Sequence, residues 1–331
     1  MRKTLLLGGM AALTLLACSK LKESPEPIVP EPVVVDPGNQ DDPKDFAKTT
    51  KTDVKDIIAT EKPTTSNFTV PSTAGKFYTT QDKIDIVIPA DAFMDASGNP
   101  ITGNIDIKVE EFTTPADLIF GNVQTVSSDG KLLESGGMVK LEALYNGSPA
   151  LLRPGKTVDF NFRNAAAQTD MTAWIGQKAP DGSIQWAAQN AWLTNIDTTQ
   201  MFKMSGIDSM TWCNLDRFMN SGSAMSSMVV HLPEGYKSSE GSFRLVFKDA
   251  RSCAPLKHDS SDNTIFTTGT YYKVPVGRTA VAICTIIHES YVRYYQKEIT
   301  FVENMEITLT ESDLEFVSEA QLKAKLKSLS F

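Results

Sequence analysis

The chain is predicted to be mainly β: two β-sandwich domains joined by a hairpin-containing connector, with a short C-terminal helix and a disordered N-terminal tether. Three observations predict this. From about residue 63, short stretches alternate apolar and polar residues with the period of two that marks half-buried strands. Turn-forming clusters separate these stretches, and short strands with turns between them favour sandwiches over βαβ units. Before them lies a stretch rich in proline and acid that cannot bury a core.

The elements follow in chain order. Met1-Arg2-Lys3-Thr4 is a short basic segment, and Leu5 to Leu16 is a mostly apolar run too short to cross a bilayer core of ~30 Å as a helix. These are the parts of an export signal over residues 1–17. The following Leu15-Leu16-Ala17-Cys18 resembles a bacterial lipobox. That resemblance implies cleavage before Cys18 and acylation of its thiol, and two or three acyl chains hold a protein stably on a membrane. Ser19 stands where an aspartate would often mark retention at the inner membrane, so the expected location is the cell envelope at the outer membrane. No later stretch approaches the ~18 uninterrupted apolar residues of a membrane-crossing helix.

Residues 18–62 form the expected tether. Ser24-Pro25-Glu26-Pro27 and Asp41-Asp42-Pro43 lack backbone donors at the prolines and repel through the acids. The first sandwich is expected over 63–165. In Lys83-Ile84-Asp85-Ile86-Val87-Ile88 and Asn104-Ile105-Asp106-Ile107-Lys108-Val109-Glu110 the isoleucines share one face. Met138 to Ala143 and Thr157 to Arg163 repeat the pattern, with turns at Ser97-Gly98-Asn99-Pro100, Asn146-Gly147 and Pro154-Gly155.

Ile86-Val87-Ile88-Pro89-Ala90-Asp91-Ala92-Phe93, followed by Gly103 and a strand, resembles the opening of a ZU5 domain. Leu132-Leu133-Glu134-Ser135-Gly136-Gly137-Met138 is similar to a run found in Bacteroidota lipoproteins, and the likeness covers roughly residues 70–163. It implies a β-sandwich acting as an interaction module. The self-cleaving relatives cut at a Phe-Ser step, which this chain lacks.

The connector is expected over 166–222. Ala179-Pro180-Asp181-Gly182 reads as the turn of a hairpin. Thr211-Trp212-Cys213-Asn214-Leu215-Asp216-Arg217-Phe218 is similar to a stretch of the same lipoproteins. Trp212, Asp216 and Arg217 are expected to organise the junction, Asp216 accepting backbone N–H bonds and Arg217 pairing with a carboxylate. The second sandwich, over 223–310, carries strands such as Ser242 to Lys248 and Ala280 to Ile286. Lys273-Val274-Pro275-Val276-Gly277 before a strand resembles prealbumin-like sandwiches. In 311–331, Leu322, Leu326 and Leu329 fall at helical spacing, an apolar stripe for the second sandwich or for a partner.

Chemistry is harder to find. A formal net charge of −8 disfavours nucleic acid and electrostatic docking on anionic lipid. No Gly-x-Ser-x-Gly elbow and no phosphate-binding Gly-x-x-x-x-Gly-Lys loop occurs. His231, His258 and His288 show no metal-ligand spacing. Glu110 and Glu111 are strand neighbours pointing to opposite faces, one solvated and one at the sheet margin. Asp259-Ser260-Ser261-Asp262-Asn263 lacks the glycine and terminal glutamate of an EF-hand loop. Cys213, Cys253 and Cys284 allow one disulfide plus a free thiol or burial of all three, and Cys284 sits in a nearly continuous apolar run.

Aromatic residues are the best binding candidates. Trp174, Trp186 and Trp192 crowd the connector, and Tyr291, Tyr294 and Tyr295 mark both faces of one strand. They would form a platform for a sugar or a partner, or else fill the core. The expected function is a non-catalytic binding or scaffold module, held to the membrane through Cys18, for a protein or glycan partner and without a cofactor. The competing expectations are an envelope hydrolase whose site is assembled from distant residues, and a structural spacer.

Membrane attachment rests on one thiol. Cys18→Ser is expected to shift the protein from the membrane pellet to the soluble fraction in cell fractionation, and unchanged pelleting would remove the anchor.

Overall fold

Alternation along a strand only decides which residues leave water; pairing decides what they meet. The computed structural model describes residues 45–162, 170–196, 202–219, 222 and 224–331. The expected export signal, Cys18 and the expected tether as far as residue 44 lie outside the described residues.

In the first body the strands are β1 (Thr64–Pro71), β2 (Lys76–Thr79), β3 (Ile84–Ile88), β4 (Asn104–Glu111), β5 (Val123–Ser127) and β6 (Leu133–Tyr145). They continue as β7 (Val158–Phe162), β8 (Thr172–Lys178), β9 (Ile184–Ala188), β10 (Leu193–Ile196), β11 (Phe202–Ile207) and β12 (Trp212–Phe218). The second body contains β13 (Met228–His231), β14 (Gly241–Phe247), β15 (Ser252–His258), β16 (Ile265–Thr267), β17 (Thr279–His288), β18 (Tyr291–Thr300), β19 (Met305–Thr308) and β20 (Glu315–Phe316). Three short helices are α1 (Val54–Ile58), α2 (Pro115–Phe120) and α3 (Glu319–Lys327). Two-residue pairings tie Phe93–Met94 to Leu151–Leu152 and Met225–Ser226 to Val274–Pro275.

The first body is a sandwich. Its larger sheet runs β1-β4-β6-β12-β8-β9-β5, with Ser148–Pro149 added to the end of β6, and the smaller runs β10-β11-β7-β3-β2. Neighbours are antiparallel except β9 beside β5. The isoleucines singled out by alternation meet across the sandwich: Ile86, Ile88, Ile105, Ile107 and Val109 share one core with Leu141, Phe160 and Phe202. Gly136 and Gly137 are required where β6 passes under the core, since a Cβ on Gly137 would stand 2.4 Å from the Phe162 ring.

The expected connector is not separate from this sandwich. Its hairpin exists as β8 and β9, turning at Gly182 with φ +81°. However, β8, β9 and β12 are part of the larger sheet, and β10 and β11 form one side of the smaller. Strands rich in tryptophan need two covered faces, and the sandwich supplies them.

In the second body eight strands run β19-β13-β16-β15-β14-β17-β18-β20. Its two halves enclose Phe243, Leu245, Phe266, Ala282, Cys284 and Ile286. The sheet extends past residue 310, because β20 adds to the edge of β18.

A third core joins the bodies. Val246, Cys253, Val281 and Ile283, on the other face of the second sheet, cluster with Leu133, Met138, Trp174 and Trp186 of the first. The helices fill the space between. Thr114 and Asp117 form a capping box at the start of α2, and all six of its residues are buried. Ile57 and Ile58 of α1 and Leu322 and Leu326 of α3 join the same cluster.

This packing moves two boundaries. The packed chain starts by residue 45 rather than 63. Ala47, Val54, Ile57 and Ile58 are buried, Asp53 caps α1 by accepting from the Lys55 N–H, and the Thr49 N–H bonds the Ser290 carbonyl at 2.8 Å. Proline and acid thin out just before this apolar helix, which is the physical reason. The α3 stripe covers the seam between the bodies rather than the second sandwich alone, and Lys323 and Lys327 hold Glu61 at 3.4 and 2.6 Å.

Leu322→Ala is therefore expected to lower the unfolding free energy by about 2–5 kcal/mol in urea titration. A loss below about 0.5 kcal/mol, the usual range for a surface change, would mean that the stripe is free for a partner.

Candidate functional site

The sequence-marked aromatics are core residues. Trp186 is fully buried and its indole N–H donates to the Gln124 carbonyl at 2.7 Å. Trp174 is buried and donates to the Asp216 carbonyl at 3.0 Å, and Trp192 is buried and donates to the Asp208 carboxylate at 3.2 Å. Tyr294 faces the seam and Tyr295 the interior of the second body. Tyr291 is half-buried, edge-on to Phe316 at 5.4 Å. An exposed platform of these six is thus corrected to packing. The reason is that their strands are covered on both faces where these rings sit, so alternation sends five of the six into one core or another and leaves Tyr291 half-buried against Phe316.

The junction triplet is brought together as a polar island beside the seam. Arg217 grips Glu134 with Nε at 2.7 Å and Nη2 at 2.6 Å, and reaches Asp170 at 3.1 Å. Glu134 also takes Arg278 of the second body at 3.2 Å, so one carboxylate ties the two bodies. Trp212 packs on Phe112 at 5.0 Å. Asp216 differs from expectation. Its carboxylate meets the side chain of Asn214 rather than backbone amides, next to Ser135, its opposite number on β6. The register shifts between Leu215 and Asp216. Complete burial pushes this carboxyl well above the usual range, against the pull of Ser135 and Asn214, and its Oδ1 has no partner.

Other marked residues resolve plainly. Glu110 pairs with Lys108 and Lys140 at the surface. Glu111 is not marginal: it is fully buried and accepts from Ser66, Thr80 and the Asp82 N–H. Cys213, Cys253 and Cys284 are free and buried, and burial pushes the Cys284 thiol up to about 12. Asp259 and Asp262 accept from Ser261 and Thr264 within their own loop. His231 lies half-exposed 3.7 Å from Glu306, and His288 stacks on Tyr236 at 3.8 Å. Among the described residues no three or more His, Cys, Asp or Glu gather as metal ligands. None of the described helices is long and apolar enough to cross a membrane.

What the fold assembles instead is a polar cleft of about 500 Å³ where the two bodies meet. The first body contributes Asn122 after α2, Gln124 on β5, and Asp181, Ser183 and Gln185 around the β8–β9 turn. The second contributes Ser239, Ser242 and Arg244 at the start of β14, Lys257 and His258 at the end of β15, and Tyr271. Gln124 Nε2 donates to Tyr271 Oη at 2.8 Å and Ser183 Oγ at 3.2 Å, while its buried Oε1 has no partner. Burial pushes the Tyr271 hydroxyl up to about 12 despite the Gln124 bond. Burial also opposes ionisation of Asp181, but Lys257 and Ser183 outweigh it and hold that carboxyl well below the usual range.

Arg244 is the unusual member. It is 7% exposed, donates to two neutral oxygens, Val123 O at 3.4 Å and Asn122 Oδ1 at 3.1 Å, and lies beside the buried Cys253 thiol. Its Nε has no partner, and among the described residues no carboxylate pairs with it. Its place just after α2 puts it near the negative end of a helix dipole, which contributes about 0.3–1 kcal/mol. Withdrawing a cation from water costs several kcal/mol, so the helix end does not offset the burial.

Comparison with known proteins finds no family model that matches the chain and no curated protein that matches it.

Sequence reading missed the cleft because its walls come from six separate segments. One signal was legible: Ser242-Phe243-Arg244-Leu245-Val246-Phe247 places a charge inside an otherwise apolar strand of the second body. With both faces of that strand covered, such a charge must be buried and ask for a partner.

Asp216 yields a pH test. Its folded carboxyl titrates above the unfolded value of about 3.9, so the folded state holds the proton more tightly. The stability it contributes is complete below about pH 4 and is lost as pH rises through the folded value. Asp216→Asn is expected to remove that decline in urea melts run from acid to neutral pH, while Asp216→Ala costs about 1–3 kcal/mol more than Asn. A decline of equal size in wild type and Asn variant would exclude Asp216 as its origin.

Proposed function

We propose that this chain is a non-catalytic envelope lipoprotein, anchored through Cys18, that holds a glycan in the cleft between its two sandwiches. The cleft carries the reading: the amides of Asn122 and Gln185 offer donors and acceptors, serine hydroxyls line the opposite wall, and Gln124 braces the floor through Tyr271 and Ser183. This mixture suits a ligand with many hydroxyls, each of which both gives and takes hydrogen bonds. The ZU5-like opening of the first body agrees, since ZU5 domains act mostly as interaction modules. The Cys18 anchor and its stalk would hold the cleft off the outer membrane, where envelope polysaccharides are met. A structural spacer is the second reading, favoured by the apolar seam and by Glu134 clamped between Arg217 and Arg278.

Retention of envelope polysaccharide fractions on the immobilised full chain separates the two. Ser239→Trp, an exposed change at the cleft mouth, is expected to weaken retention by about tenfold, about 1.4 kcal/mol, with an unchanged melting temperature. A spacer would retain no fraction, and equal retention by the variant would move the site elsewhere.

A further inference from the structure

We propose that the cleft selects an acidic saccharide, with the anionic group of the sugar meeting Arg244. This deepens the glycan reading and rests on it.

Charge around the cleft runs against that of the whole molecule. The chain carries a net charge of −8, yet the cleft is lined by three cations, Lys55, Arg244 and Lys257, against one carboxylate, Asp181. That carboxylate is taken: Lys257 pairs with it, and Ser183 fills its other oxygen through both N–H and Oγ. Lys55 and Arg244 make no ion pair among the described residues, so two positive charges are left facing a common space. Lys55 is exposed and costs nothing in that state. Arg244 is buried, fixed by Asn122 and the Val123 carbonyl, and retains a donor without an acceptor.

A rigid guanidinium that lines the cleft, held by neutral oxygens and facing no acid among the described residues, is preorganised for a carboxylate or phosphate. The neighbouring groups restrict what may carry that anion. Gln124, Gln185 and Asn122 stand around it as neutral hydrogen-bonding side chains, and Lys257 lies over the Tyr271 ring at 4.7 Å. A bare inorganic anion would leave these amides unused, whereas a uronate or a phosphorylated sugar presents its anion beside a row of hydroxyls.

The experiment is calorimetry on the full chain with four probes: a uronate trisaccharide, a phosphorylated sugar, a neutral trisaccharide and inorganic phosphate. Either acidic sugar is expected to bind about tenfold tighter than the neutral one, and to weaken as salt rises toward about 0.5 M. The better of the two acidic probes identifies the anion as carboxylate or phosphate. Arg244→Gln is expected to abolish the preference for acid. Because Arg244 also braces the seam, Lys55→Gln provides a second variant at an exposed position, expected to reduce the preference about threefold without changing the melting temperature. Equal binding of neutral and acidic sugars would overturn charge selection and leave the glycan reading standing. Inorganic phosphate binding as tightly as either acidic sugar would overturn the saccharide class, and no binding of any sugar would overturn both readings.

Discussion

The structure depends on an apolar seam between two sheets that each already have a core. Leu133, Met138, Trp174 and Trp186 on one side face Val246, Val281 and Ile283 on the other, with three short helices between them. Where the bodies meet, each sheet therefore has both faces out of water. That condition explains the apolar run of β17, the fully buried α2 and the ordering of residues 45–62. None of the helices would hold alone, because α1, α2 and α3 have five, six and nine residues, below the roughly 12–15 at which isolated helices become marginal. They are helical because packing needs them there.

A seam this apolar makes every polar group near it costly, and the exceptions are informative. Glu134 is compensated by an arginine from each body, so its burial becomes a clamp. For Asp216 burial raises the carboxyl's affinity for its proton, which lowers the cost of a group with two neutral neighbours. Arg244 has neither remedy, since a guanidinium does not give up its proton and among the described residues no acid pairs with it. The same burial thus has three outcomes, and only the last leaves a charge without an opposite charge beside it among the described residues.

Strand alternation was legible wherever one face met a core and the other met water. Ile105, Ile107 and Val109 of β4 point inward with Asp106 and Lys108 turned out, as their spacing predicts. It misled where both faces are covered. Tyr294 and Tyr295 fall on opposite faces of one strand, which left a platform and core filling both open, and adjacent cores receive them both. Tryptophans of β8 and β9 were assigned to a connector because nothing local shows that their strands join β12 and β5. The α2 helix escaped for a related reason: Pro115 to Phe120 is buried all round, so it has no stripe, although Thr114-Pro115-Ala116-Asp117 carries a capping signal. The cleft lies beyond local reading altogether, since Gln124 and Arg244 are 120 residues apart and meet only through the seam.

Clamping the bodies together has a consequence for binding. A ligand held between two domains that move independently must first order them, and that ordering is subtracted from its affinity. Here the apolar seam, the Glu134 clamp and the Arg244 bonds to Asn122 and Val123 fix the two walls before any ligand arrives. The walls carry polar groups at set positions, including a buried amide oxygen and a guanidinium N–H with nothing to bond. Rigidity and unsatisfied polarity in one place are opposed in a molecule selected for stability alone, because a fixed unpartnered group only costs. They would agree in the proposed site, where a ligand would supply the charge that Arg244 lacks.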